Sequence, residues 1–341
     1  MKPVILDCDG AELAPDERRF FADHDPWGFI LFERNCVDRA QVRGLCDALR
    51  DAVGRPDAPI LIDEEGGRVT RLRPPVWAKR PPMAEFGALY KSDPEAAREA
   101  LRLNSRLQAD DLFEIGINVN CAPVLDVPQP GAHDVIGDRA FAADVETIAA
   151  LGSAVMDGFR AGGVAPVIKH IPGHGRAMSD SHKELPVVAA SADALRALDF
   201  EPFRLLKDAP MAMTGHVVFS AFDPDAPATT SSIVMETVIR GEIGYDGLVM
   251  TDALTMEALE GDLPERARRS LAAGCDVVLH CDGWGLMPFD KKAAVLDAVP
   301  DLSGDALRRA EAALAWVTPP EAFDRAEGEA RLANLFPSAL A

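Results

Sequence analysis

The chain has 341 residues, 48% hydrophobic and 26% charged, with 35 basic and 55 acidic side chains, a formal net charge of −20 and a pI of about 4.7. That apolar share supplies a globular core and excludes a disordered chain, while the acidic excess repels phosphate backbones and anionic headgroups, which sets aside nucleic-acid and membrane-surface roles. Asp7 and Asp9 interrupt the apolar run that a secretory leader needs, and no stretch of about 18 apolar residues occurs, so a cytoplasmic protein is expected.

Short β-rich apolar runs recur with helix-like stretches between them: VILD at 4–7, GFILF at 28–32, PILID at 59–63, INVNCAPVLDV at 117–127, PVIKHI at 166–171, MAMTGHVV at 211–218, GLVMTD at 247–252 and DVVLH at 276–280. Their hydrophobicity is continuous rather than alternating, which signals strands covered on both faces, as in a parallel sheet of βα units. Between them, Asp93 caps a helix with Pro94 at its first position, Ala96, Ala100, Leu103 and Leu107 at helical spacing, and a stop at Gly116. Asp144 precedes a second such run that ends at Gly162 and Gly163, and Ser191 opens a third through Leu195 and Leu198. PQPGAHD at 128–134 reads as a long surface loop. Cys8, Cys36, Cys46, Cys121, Cys275 and Cys281 lack CxxC spacing and several lie inside strand-like runs, as reduced, buried thiols do.

Polar residues gather at the C-terminal ends of these strands: Asp63, Asp126, Lys169, His170, His216 and Asp252. In a (β/α)8 barrel those ends converge on one mouth. A doubly wound open sheet also places ligands at carboxyl ends, but neither GxGxxG nor GxxxxGK[ST] is present. The expectation is an α/β fold, a single (β/α)8 TIM-type barrel over 1–341 with 316–341 a C-terminal extension and no second sandwich domain.

Three segments carry the chemistry. LIDEEGGRVTRLR, from Leu61 to Arg73, brings Asp63, Glu64, Glu65, Arg68 and Arg71 together, either as a structural ion-pair cluster or as a polar cradle suited to sugar hydroxyls or phosphate. Asp252 ends an apolar strand, where a carboxylate either caps the following helix or acts as a nucleophile. The run Val167–Pro186 holds Lys169, His170, His174, Asp180 and His182, with Pro172, Gly173 and Gly175 forcing an irregular loop. Asp180 stands two residues before His182: it either starts an Asx turn beside a solvated imidazole or accepts one ring N–H and raises the basicity of the other nitrogen. The density of polar donors around it favours chemistry. A strand-end aspartate with a separate proton donor is the minimum kit for retaining glycoside hydrolysis, the imidazole here taking the part usual for a second carboxylate.

KHIPGHGRAMSDSH, from Lys169 to His182, resembles the KH[FI]PGHGxxxxD[ST]H signature of bacterial β-N-acetylglucosaminidases in glycoside hydrolase family 3. Similar stretches are GFILFERN at 28–35, LIDEEGGRVTRLR at 61–73, NVNCAPVLDV at 118–127, IGDRAF at 136–141, MTGHVVF at 213–219 and GLVMTDAL at 247–254, so the resemblance spans roughly residues 1–315. It implies a nucleophile at Asp252, a general acid/base at His182 polarised by Asp180, and sugar contacts from Asp63, Arg71, Arg139, Lys169 and His170. It also implies a small carbohydrate substrate of the muropeptide type, removal of terminal N-acetylglucosamine through a covalent glycosyl-aspartate, and a place in peptidoglycan recycling. No cofactor or metal is expected, and a monomer is the default. Two departures stand out: Glu64 where a histidine is common, which places a change at the rim of the sugar site, and Ala253 where an aspartate often repeats.

Three other readings remain. Phosphate in place of water as acceptor gives a phosphorylase on the same barrel, since a histidine repels an incoming anion less than a carboxylate does. A metal-dependent amidohydrolase-like barrel would use His170, His174, His182 and Asp252, although Pro172 and Gly173 break helical ligand spacing. A non-catalytic sugar-binding barrel would bind without turnover.

Overall fold

A computed structural model of the chain describes residues 1–283 and 285–337. Eight parallel strands close a barrel in sequence order: β1 (Lys2–Asp7), β2 (Pro26–Leu31), β3 (Ile60–Ile62), β4 (Val119–Asn120), β5 (Ala165–Ile171), β6 (Met211–Thr214), β7 (Leu248–Ala253) and β8 (Val277–His280). Closure is made by β1 against β8, with Val4 level with Val278 and Leu6 with His280. The expected α/β barrel is the observed fold.

The continuous apolar runs are explained by this geometry. Ile5, Ile30, Leu61, Val119, Val167, Met211, Met250 and Val277 fill the barrel interior, while Leu6, Phe29, Ile62, Ile168, Val249 and Val278 face outward against the helices. Both faces of each strand are therefore dry. The helices expected behind Asp93 and Asp144 are Pro94–Glu114 and Val145–Ala161, and each cap is realised: Asp93 accepts the Ala96 N–H and Asp144 that of Thr147. Ser191 likewise accepts from Ala194 to open the helical run that follows.

The run at 117–127 is not one strand. Only Val119–Asn120 is regular, because Pro123 has no N–H to give a neighbour, and beyond it the chain is stitched to β5 through Ala122, Pro123 and Leu125. MAMTGHVV similarly divides after Thr214, and Val218–Phe219 pairs instead with Val187–Val188 in a small parallel sheet. The extension from 316 contributes the helix Arg325–Leu335, which lies on Pro94–Glu114, buries Leu332 and places Phe336 4.8 Å from the ring of Phe86. Residues 338–341 of that extension lie outside the described residues. No described helix is long and apolar enough to cross a membrane. All six thiols are free, and five of them are buried.

Candidate active site

Inward-facing positions alternate along each strand, so the register that puts Leu61, Val167 and Met250 inside also puts Asp63, Lys169 and Asp252 inside, one step nearer the mouth. Lys169, only 2% exposed, spans two carboxylates: its Nζ lies 2.9 Å from Asp63 and 2.7 Å from Glu65. Arg71 closes on Asp63 at 3.1 Å, and Arg139 grips Glu65 with two bonds of 2.8 and 2.9 Å. Burial alone would raise the Asp63 carboxyl, but Lys169 and Arg71 hold it far below the usual carboxylate range. Glu65 is lowered against burial to about 2 by Arg139 and Lys169. Burial would lower the Lys169 ammonium, yet the same carboxylates raise it. The 61–73 segment is thus an ion-pair network and a ring of fixed charges at the mouth at once, so neither reading of it displaces the other.

Asp252 ends β7, and its Oδ1 accepts the Ala253 N–H at 2.7 Å. It caps no helix, because the next one, Leu263–Ala273, is capped by Asp262. Burial pushes its carboxyl up, but the imidazoles of His170 and His216 and the Ala253 N–H outweigh burial and keep it ionised. Ala253 acts through its backbone only, its carbonyl receiving His216 Nε2 at 3.1 Å while His216 Nδ1 meets Thr229 Oγ1 at 2.7 Å.

His170 Nδ1 lies 2.7 Å from Asp126 Oδ2, the carboxylate accepting the Nδ1–H and orienting the ring. Asp126 Oδ1 also takes the backbone N–H groups of His170 and His174. Asp180 Oδ1 accepts both the backbone N–H (3.0 Å) and Nδ1 (2.8 Å) of His182. One oxygen therefore forms the Asx turn and the Asp–His pair together. The His182 side chain is 51% exposed at the rim, and its charge is among those that act on Asp252.

The structure joins Asp63, Arg71, Arg139 and Lys169 in one ion-pair network through Glu65, sets His170 on Asp126 and His182 on Asp180, and turns Glu64 elsewhere. Glu64 does not reach the rim of the site: it is 3% exposed, and its carboxylate receives the N–H groups of Arg71 and Leu72 and the Thr70 hydroxyl. It braces the turn that carries Arg71. Its burial without a direct cation partner is what raises its pKa. Glu65 and Asp126 had no assigned role in the sequence, though Glu65 adjoins Asp63 and Asp126 ends a strand. His170, His174, His182 and Asp252 do not form one ligand set, since no group of three or more candidate metal ligands occurs among the described residues.

Residues 6–301 match the model of the glycosyl hydrolase family 3 N-terminal domain. A β-hexosaminidase of Thiobacillus denitrificans is 40% identical over 286 residues, 82% of this chain and 78% of that protein. One from Alkalilimnicola ehrlichii is 40% identical over 303 residues, 88% and 84% of the two chains. The crystal structure of native NagZ from Neisseria gonorrhoeae aligns at a TM-score of 0.86 and 32% identity, covering 98% of this chain and 97% of that one. A barrel with this mouth and these relatives is a glycoside hydrolase of the β-N-acetylhexosaminidase type. The chain belongs to glycoside hydrolase family 3.

Proposed function

We propose that the protein is a retaining, exo-acting β-N-acetylglucosaminidase that removes a terminal non-reducing N-acetylglucosamine. The observation that carries this reading is the pairing of an ionised, strand-held Asp252 with an Asp180–His182 unit at the rim of the same mouth. Asp252 attacks the anomeric carbon as the bond to the leaving oxygen breaks and His182 gives that oxygen its proton. His182 then takes a proton from the water that displaces Asp252, releasing the sugar. Asp180 stabilises the imidazolium that gives its proton in the first step and is regenerated in the second. Asp63, Arg71, Arg139, Lys169 and His170 bind the sugar, whose hydroxyls match the alternation of anionic and cationic groups. The sugar class is supported by a NagZ of Neisseria gonorrhoeae solved in complex with N-trifluoroacetyl-D-glucosamine, 32% identical to this chain.

The natural substrate under this reading is an N-acetylglucosaminyl-1,6-anhydro-N-acetylmuramoyl fragment, with the enzyme monomeric, cytoplasmic and serving peptidoglycan recycling. Release of phenol from an aryl β-N-acetylglucosaminide by wild type and Asp252→Ala, with and without phosphate, tests it. Turnover is expected to fall by at least about a thousandfold in the variant. A sugar phosphate in the phosphate arm would make the enzyme a phosphorylase, and an unaffected variant would overturn the nucleophile.

A further inference from the structure

We infer that the buried hydrogen bond between His174 and Ser181 is a latch that sets His182 over the barrel mouth, so that both are positioning residues for proton transfer. The inference rests on His182 being the acid/base and adds residues outside the sugar cradle.

The loop is tied at both ends. Ala177 donates to the His174 carbonyl and receives the His133 N–H, and the Pro186 carbonyl receives the Val218 N–H. Between these ties, residues 178–185 bond mainly to themselves: the Asp180 carbonyl takes the N–H groups of Lys183 and Glu184, and the Asp180 carboxylate takes those of His182. Among the described residues, the hydrogen bond joining this turn to the barrel is Ser181 Oγ to His174 Nε2, at 3.1 Å.

Burial tells the same story. Met178 is 67% exposed and the His182 side chain 51%, yet Ser181, lying between them, is 3% exposed. A serine gains little from the hydrophobic effect, so its inward seat reflects the bond it makes. His174 is a rigid receiver. It is 4% exposed, its backbone N–H is held at 2.6 Å by Asp126, and its ring lies 5.7 Å from that of His170. Its Nδ1 is buried without a partner, and burial, with the His170 charge, keeps the ring neutral. The tautomer that strands no N–H therefore puts the proton on Nε2, which donates to Ser181. Asp126 thus fixes two things at once, the sugar-facing His170 and the latch.

Asp180 and His182 form a unit that survives loss of the latch, but its height above the anomeric centre does not. Displacement of about 1 Å costs on the order of a hundredfold in a step that needs alignment.

Three measurements on Ser181→Ala test this: kcat/KM on an alkyl β-N-acetylglucosaminide, kcat/KM on the 2,4-dinitrophenyl glycoside, and rescue of kcat by azide, which needs no general base. The alkyl substrate is expected to lose about 10- to 100-fold, the activated one no more than about threefold, with azide restoring turnover of the latter. His174→Gln, which keeps an N–H near Nε2, is expected to retain more alkyl activity than His174→Leu at a similar melting temperature. Equal losses on both glycosides, or none, in Ser181→Ala would overturn the latch. His182→Ala run alongside separates the two ideas: a leaving-group effect there with an unaffected Ser181→Ala overturns the latch alone, and no leaving-group effect in His182→Ala overturns the acid/base reading beneath it.

Discussion

Lys169 holds the mouth together, because two carboxylates converge on one buried ammonium. Replacing it by Met leaves Asp63 and Glu65 facing each other with one cation fewer, a loss expected to cost about 3–5 kcal/mol in urea unfolding as well as sugar affinity. Asp180→Asn should leave the turn in place, since the amide oxygen still accepts the His182 N–H, but remove the charge that stabilises the imidazolium. Its kcat/KM should fall about 10- to 100-fold on an alkyl glycoside and far less on a dinitrophenyl one, as measured by initial rates. At this scale the sequence named Asp252, His182, Asp180 and Lys169 through one dense motif and one strand end. It gave no role to Glu65 or Asp126, whose partners Arg139 and His170 lie 74 and 44 residues away. Nor did it place Glu64, whose inward turn depends on the Thr70–Leu72 backbone folding back over it.

The loop elements meet through backbone contacts that leave no room for side chains. A Cβ on Gly175 would lie 2.1 Å from the Val127 carbonyl oxygen, so Gly175→Ala must part the loop after β5 from the 128–134 loop, breaking the Gln129 N–H to Gly175 carbonyl bond. The expected outcome is a lower melting temperature together with loss of activity on alkyl glycosides, measured by calorimetry and kinetics. A cap far from the mouth should behave differently. Asp144→Ala removes the acceptor of the Thr147 N–H and is expected to cost about 1 kcal/mol with kinetics unchanged. Helices 94–114 and 145–161 were legible because caps, period and stops are local signals. The division of 117–127 was not, because which residues pair with β5 past Pro123 depends on where β5 sits.

Across the whole molecule, buried titratable groups set the pH response. Burial is the main cause lowering both His174 and His280 to about 4, while in the unfolded chain they titrate near 6.5. Between those values the unfolded state binds the extra protons, so each group makes stability fall as pH drops, by about 1.4 kcal/mol per pH unit. Glu17 opposes one of them: burial raises it to about 7 from 4.5, so the folded state holds its proton across that window and stability falls as pH rises. Removing one of the imidazoles isolates its share: His280→Leu is expected to lose less urea-unfolding free energy than wild type as pH falls from 6.5 toward 4.5. The sequence by itself determined the α/β class, the barrel and the chemical inventory of the mouth, because two-sided burial, helix caps and a contiguous motif are written in neighbouring residues. Only the tertiary structure decided that Glu65 shares Lys169 with Asp63, that Asp126 anchors both His170 and His174, and that Ser181 is pinned under the rim, because these pairings arise where separate strand ends converge on one axis.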